Sequence, residues 1–187
     1  MMLDHIPKAI EQLKLDHRNM TRLLNLVQSE LESMRSGEPP DFDLLHSVME
    51  YALHYPDICH HPKEDVIYRR LVRRDPSTEA RVGDLMKEHA HLAELTRKLA
   101  AALHNVAQDV EVPRAWLEGL VEEYLSVNRR HIAAEEQRFF PLAMVTLSDD
   151  DWQEIDASAV AKDDPLFGGR LAGEYRGLYD RIMRLSL

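Results

Sequence analysis

Four stretches of this 187-residue chain carry apolar residues at alternating intervals of three and four, and histidine or glutamate interrupts the apolar pattern in each stretch. Such spacing places the residues on one face of an α-helix, so the chain is predicted to be all-α. A protein core normally excludes these side chains, because burying an ionisable group without a partner is unfavourable. The intruding residues are His17, His60, Glu64, His89, His131 and Glu135.

Turn-forming residues separate the four stretches. The first helix is predicted to end at Gly37, just before two consecutive prolines, and Asp41 is expected to cap the second helix. The second stretch contains Pro56 and Pro62, each of which removes a backbone donor and clashes with the preceding turn. A kink or short break is therefore predicted there, within an up-down-up-down four-helix bundle.

The positions of the turns predict that the intruding residues share one level of this bundle. Residues equally far from a connecting turn lie at the same height in an up-and-down arrangement. His17 and His60 are each about 21.5 residues from the first turn. His89 and His131 lie about 21.5 and 20.5 residues from the third, which differs by less than one helical turn. By the same count from the second turn, His89 lies at the height of the midpoint between His60 and Glu64.

This layer predicts a metal site. Two buried carboxylates without compensation would cost several kcal/mol each, whereas a pair of metal ions supplies the missing charge. Imidazole and carboxylate together suit iron, manganese or zinc, while magnesium and calcium prefer oxygen alone. The single cysteine, Cys59, excludes four-cysteine sites and receives no role. Four further histidines are expected at the surface: His5, His46, His91 and His104.

The chain resembles the hemerythrin-like (HHE cation-binding) proteins over residues from about 5 to 146. The resemblance rests on Asp16-His17, the run from His60 to Asp65, Glu88-His89, and the run from His131 to Glu136. It implies a non-heme centre of two iron ions, with zinc or manganese as substitutes. It also implies that Glu64 and Glu135 bridge the ions, that the four histidines are terminal ligands, and that O2 or another small diatomic molecule binds at an open iron position.

One position departs from the oxygen-carrying members of this family. They have a fifth histidine one turn after the third-helix ligand, and this chain has Ala93 there. His61 and Tyr55 are the two nearby candidates to fill the position, and the sequence does not choose between them. An iron with one ligand fewer favours redox turnover or exogenous ligands over reversible oxygen carriage.

The remaining features bound the partners and the domain organisation. The net charge of −10 argues against nucleic acid and anionic membrane surfaces as partners, and no apolar run is long enough to span a bilayer, so a cytoplasmic location is expected. The bundle is assigned to residues 1–146 and a C-terminal helical extension to residues 147–187. The apolar stripe of the last helix is expected to pack on the bundle, and a homodimer is the alternative.

Three functions are compatible with these residues. The preferred one is a di-iron protein that binds O2 or a related ligand such as NO, in sensing, storage or stress response. The alternative is a di-iron oxidoreductase that turns over peroxide or NO. The third is a metal-free helical interaction protein with structural histidines, in which metal removal changes nothing.

Overall fold

The computed structural model describes residues 6–158, 164–169 and 171–185, and the regular structure within these residues is helical, which confirms the predicted all-α class. His5 lies outside the described residues. The main α-helices are α1 Lys8–Ser36, α2 Phe42–His54, α3 His61–Arg74, α4 Thr78–Val82, α5 Leu85–Ala107, α6 Arg114–Ala134, α7 Phe140–Thr146, α8 Asp149–Ser158 and α9 Arg176–Leu185. Two π-helical turns, π1 Pro56–His60 and π2 Glu135–Phe139, and a 3₁₀ turn, Gly173–Tyr175, complete the structure.

The first helix ends and the second begins where the sequence predicts. Gly37 adopts the left-handed conformation (φ 92°) that an L side chain rarely adopts, and its N–H donates to the Met34 carbonyl at 3.1 Å. The Asp41 side chain accepts from the Leu44 N–H at 2.9 Å and so caps α2. Both predicted boundaries are confirmed.

Two prolines explain the π-helical turns. A proline ring clashes with the carbonyl four residues earlier, and a wider turn with bonds between residues five apart relieves the clash. The first turn, π1, ends two residues before Pro62, and π2 ends two residues before Pro141. In π1 the His60 N–H donates to the Tyr55 carbonyl at 3.3 Å, five residues back. The break predicted near Pro62 therefore takes the form of a π-helical turn.

The helices enclose two apolar clusters with the ionisable layer between them. Helix α1 packs on α6 and α2, and α5 packs on α2 and α6. Along α1, His17 lies between Leu13 of one cluster and Leu23 of the other. In the same way, His89 on α5 separates Leu85 from Leu95. The buried layer is therefore held from above and below by packed side chains, whose burial stabilises the fold by about 1.5–3 kcal/mol each.

Residues after 146 contact the rest of the chain at several places: Trp152, Leu166 and Leu178 are buried in its apolar clusters, and polar contacts add to this packing. The buried carboxylate of Asp151 on α8 binds the guanidinium groups of Arg70 and Arg74, each at 2.9 Å. Further along, the Tyr51 hydroxyl donates to Asp164 Oδ2 at 2.9 Å. The division into a bundle of residues 1–146 and an extension stays a prediction. None of the helices in the described ranges combines the length and apolar character that a membrane crossing requires.

Candidate metal centre

The structure brings the six intruding residues together, and none of them exposes more than 6% of its surface. Glu64 lies in the middle, at the start of α3. Its Oε1 is 3.5 Å from His17 Nε2 and 3.3 Å from His60 Nε2, and its Oε2 is 3.4 Å from His89 Nε2. One carboxylate therefore faces imidazoles on both of its sides.

Glu135, at the start of π2, is surrounded by imidazoles in the same way as Glu64. Its Oε2 is 3.2 Å from His17 Nε2, and its Oε1 is 3.2 Å from His131 Nε2 and 3.5 Å from His89 Nε2. Glu135 thus also spans both sides of the centre. Two carboxylates that each face imidazoles in two directions can bridge a pair of ions.

The possible ligand atoms form two groups that share Glu64. One group contains His17, His60 and Glu64, and in each group the atoms all lie within 4.8 Å of one another. The other contains His61, Glu64, His89 and His131. His61 is thus a seventh member of the centre, on the side where Ala93 leaves a position unfilled. Its ring stacks on that of His89, with centroids 4.3 Å apart.

The π-helical turn explains how two consecutive histidines reach opposite sides of the centre. Neighbouring residues on an α-helix diverge by about 100°, so only one of them normally points inward. At the junction of π1 and α3 the chain contributes both, because the His60 and His61 side chains straddle the centre, one in each group. The sequence places His61 beside a ligand candidate, but the side it faces depends on the turn.

Tyr55, the other candidate for the unfilled position, contacts an acid instead. It is 2% exposed, its hydroxyl pairs with the Asp16 carboxylate, and its ring stacks on Tyr51 at 5.6 Å. Burial and the neighbouring negative charges raise the pKa of the Tyr55 phenol well above its usual value. The phenol is therefore neutral and donates to Asp16, which in turn faces His60.

Every imidazole of the centre has a carboxylate at its Nδ1, and we call these five acids the outer carboxylates. Their positions fix the tautomer, because an Nδ1–H that donates to an acid leaves Nε2 free to bind a metal. The pairs are His17 with Glu136 at 3.1 Å, His60 with Asp16 at 3.1 Å, His61 with Asp57 at 3.3 Å, His89 with Asp65 at 2.9 Å, and His131 with Glu88 at 3.2 Å.

Protons are attracted to the centre when no metal is bound. Burial by itself lowers the pKa of His17, but Glu135 and Glu64 outweigh it and raise the pKa to about 10. For His89, burial is likewise outweighed, by Asp65 and the two central glutamates, and the pKa rises to about 11. By contrast, burial and the neighbouring His89 and His60 lower the pKa of His61, which favours its neutral form.

The remaining polar atoms fit a metal. Within the described residues, seven buried side-chain nitrogen or oxygen atoms have no hydrogen-bond partner, and only Trp152 Nε1 lies away from the centre. Such atoms are rare, and an ion is one of the few explanations for a cluster of them. The others are Nε2 of His17, His60 and His131, both carboxylate oxygens of Glu64, and Oε2 of Glu135. This donor set suits iron, manganese or zinc.

A small cavity adjoins the centre. It encloses about 30 Å³ and is bounded by His61 on one side and by Met20, one turn beyond His17, on another. A water molecule needs at least about 10–15 Å³ measured in this way, so the cavity has room for two waters or one diatomic molecule. Most of its wall is apolar, and the polar exceptions are Tyr51, Asp57, His61, Thr96, Tyr124 and Asn128.

Comparison with known families agrees with this geometry. The model of the hemerythrin HHE cation binding domain matches residues 8–143. The chain belongs to this family. No curated protein and no solved structure matches the hemerythrin-like chain.

The hemerythrin-like centre also contains residues that sequence reasoning missed. Asp57 is one of them, although it lies four residues before His61, where a helical turn brings the two side chains together. The other outer carboxylates carried a visible signal, because each is adjacent in sequence to a ligand candidate. Three of the predicted surface histidines are indeed exposed: His46, His91 and His104.

Proposed function

We propose that this hemerythrin-like chain holds a non-heme di-iron centre and binds O2 or a related small ligand such as NO, in sensing, storage or stress response. When bound, the iron pair supplies a redox-active position at which a diatomic molecule can coordinate. We also propose that the four long helical stretches form an up-down-up-down bundle around it. The proposed ligands are His17, His60, His61, Glu64, His89, His131 and Glu135.

The proposal rests on the convergence of buried atoms without partners. Five of these atoms lie close together and have no hydrogen-bond partner: Nε2 of His17, His60 and His131, and both carboxylate oxygens of Glu64. Structural histidines in a metal-free core would instead be expected to satisfy both ring nitrogens. A metal pair would bind all of these atoms at once, because each lies 3.2–3.5 Å from another ligand atom.

The two groups of ligands differ in size. We call His17 and His60 the two-imidazole side, and His61, His89 and His131 the three-imidazole side. Since Glu64 and Glu135 serve both sides, the ion of the two-imidazole side has one protein donor fewer. An exogenous ligand is expected to bind to that ion.

The cavity supports a small, neutral ligand. It touches the centre and its wall is mostly apolar, with Leu23, Leu24, Val48 and Leu92 among the lining residues. Its volume of about 30 Å³ matches a ligand of about two heavy atoms, because one water needs about 10–15 Å³ measured in the same way. O2, NO and hydrogen peroxide are neutral molecules of this size.

The decisive experiment is metal analysis of protein purified without a histidine tag, followed by absorption spectra before and after addition of O2, azide or peroxide. We expect close to two iron ions per chain and ligand-dependent charge-transfer bands. His89→Ala should lower the iron content, whereas His91→Ala, on the exposed face of the same helix, should leave it unchanged. Fewer than one tightly bound metal per chain, unaffected by replacing His60 or Glu135, would refute the proposal.

The uneven donor count also favours a second candidate, a di-iron oxidoreductase that consumes peroxide or NO. An ion with a free coordination position can exchange ligands repeatedly, which turnover requires. Catalytic loss of peroxide or NO over many equivalents of iron-loaded protein would identify this activity. Stoichiometric binding without continued consumption would instead identify a binding protein.

A further inference from the structure

The outer carboxylates give the centre an excess of negative charge. Five outer acids and the two central glutamates surround positions for two ions. Two divalent ions balance four of these seven negative charges, whereas two trivalent ions balance six. Among the outer acids, Asp65 is additionally near Arg69, with Oδ2 at 3.4 Å from Nη2.

The outer acids act on the ions in two ways. Their charge attracts a trivalent ion more strongly than a divalent one, and the difference grows as the surroundings become less accessible to water. Each acid also accepts the Nδ1–H of an imidazole, which makes the Nε2 of that ring a stronger donor to the metal. Both effects favour the oxidised state. His54, which lies outside the centre, provides a contrast: its Nδ1 is 2.7 Å from the backbone carbonyl oxygen of Glu50, which is a neutral acceptor.

A preference for the oxidised state matters for metal choice. As divalent ions, zinc binds to nitrogen and oxygen sites more tightly than iron or manganese. An imidazole-rich centre therefore does not favour iron over zinc by affinity for the divalent ion alone. Zinc has no accessible trivalent state, so a site that stabilises trivalent ions can retain iron against it.

We propose that the outer carboxylates make this centre select a metal that can become trivalent, iron or manganese, over zinc, and that they stabilise its trivalent state relative to the divalent one. With iron bound, dioxygen would be the oxidant, accepting one electron from each of the two ions and two protons from solvent to form hydrogen peroxide. The imidazole Nδ1 protons stay in place. This inference rests on the proposed function, since it presupposes that metal binds.

The contribution of each outer acid follows from its exposure. Asp65 has a side chain 19% exposed and should act strongly, whereas Glu88 at 45% is screened by water and should act less. Asp16 is 1% exposed, but it also accepts from Gln12 and Tyr55, so its replacement would disturb the packing as well. Asp65→Asn and Glu88→Gln are therefore the informative variants.

The test is an anaerobic potentiometric titration of iron-loaded protein after its iron content has been measured. Asp65→Asn should shift the midpoint to a more positive potential, with about a tenfold lower ratio of oxidised to reduced iron at the wild-type midpoint, or about 59 mV for a one-electron couple. Glu88→Gln should shift it less and in the same direction. Glu94→Gln, an exposed acid on the same helix as Glu88, should leave it unchanged.

Competition with zinc provides the second measurement. In air, wild-type protein given equal iron and zinc should retain iron, and Asp65→Asn should retain a smaller proportion of it. Midpoints that coincide in all the variants while iron content stays at the wild-type level would overturn this inference alone. A wild-type protein that binds no metal would overturn the proposed function.

Discussion

The two sides of the candidate centre differ in burial as well as in the number of imidazoles. On the two-imidazole side, His17 and His60 expose 1% and 0% of their side chains, and Phe140 stacks on His17 at 5.4 Å. On the three-imidazole side, His61 is 12% exposed and borders the cavity. The chain therefore places its extra donor on the more open side and leaves the more deeply buried side one donor short.

The largest effect on the difference between the two sides is expected from removing Glu64, the carboxylate that both sides share. Glu64→Ala should abolish binding of both ions, because Glu64 faces imidazoles of both sides at 3.3–3.5 Å. It should also destabilise the metal-free protein by about 3–5 kcal/mol, since buried protonated imidazoles lose their counter-charge. Elemental analysis and chemical denaturation measure the two effects. His60→Ala, which touches one side only, should retain about one ion per chain, and equal losses in the two variants would contradict the bridging role.

The next largest effect concerns the fifth imidazole. His61→Ala should reduce iron from about two ions to about one, because the three-imidazole side loses a donor. Adding Ala93→His to that variant should restore the second ion by supplying a histidine one turn after His89. Iron content and absorption spectra of the single and double variants give the answer. A full complement of iron in His61→Ala would exclude His61 as a ligand.

The pH dependence of the metal-free protein's stability depends on one imidazole of each side, His17 and His89. Burial lowers the pKa of both groups, but Glu135 and Glu64 raise that of His17 to about 10, and Asp65 and the central glutamates raise that of His89 to about 11. Since both are raised, their stabilising contribution is complete below the unfolded value near 6.5 and is lost as the pH rises through about 10 and 11.

The metal-free protein should therefore lose several kcal/mol of unfolding free energy between about pH 7 and pH 11, and the metal-loaded protein much less. The reason is that metal-bound imidazoles carry no proton at Nε2 that alkali could remove. Denaturation curves at a series of pH values, with and without metal, test this. Identical pH profiles for the two forms would show that the central carboxylates do not hold protons on these rings.

The smallest effect on stability is expected from Tyr55, which contacts Asp16 next to His60. Tyr55→Phe removes the phenol that donates to Asp16 and should lower stability by about 1 kcal/mol while iron content stays the same. Tyr51→Phe should have a similar effect, because it removes the hydrogen bond to Asp164. Thermal unfolding and metal analysis of both variants are sufficient. Loss of iron in Tyr55→Phe would mean that Tyr55 reaches the metal after all.

Sequence spacing alone predicted that the six intruding residues lie in one layer. Each occupies a core position of a long helical stretch, and helix geometry is regular enough that distances from the turns translate into heights. The prolines likewise predicted where the second stretch would break. These inferences succeed because they depend on local chemistry: the period of the helix, the missing N–H of proline and the conformational freedom of glycine.

Only the tertiary structure decided which residues serve which side. His61 and Tyr55 were equal candidates in the sequence, and the π-helical turn directs His61 into the centre and Tyr55 toward Asp16. The outer acids follow the same rule: Asp16 precedes His17 but faces His60, and Glu88 precedes His89 but faces His131. Consecutive residues diverge by about 100° around a helix, so an acid beside a ligand reaches the imidazole of a neighbouring helix, and that neighbour is set by packing.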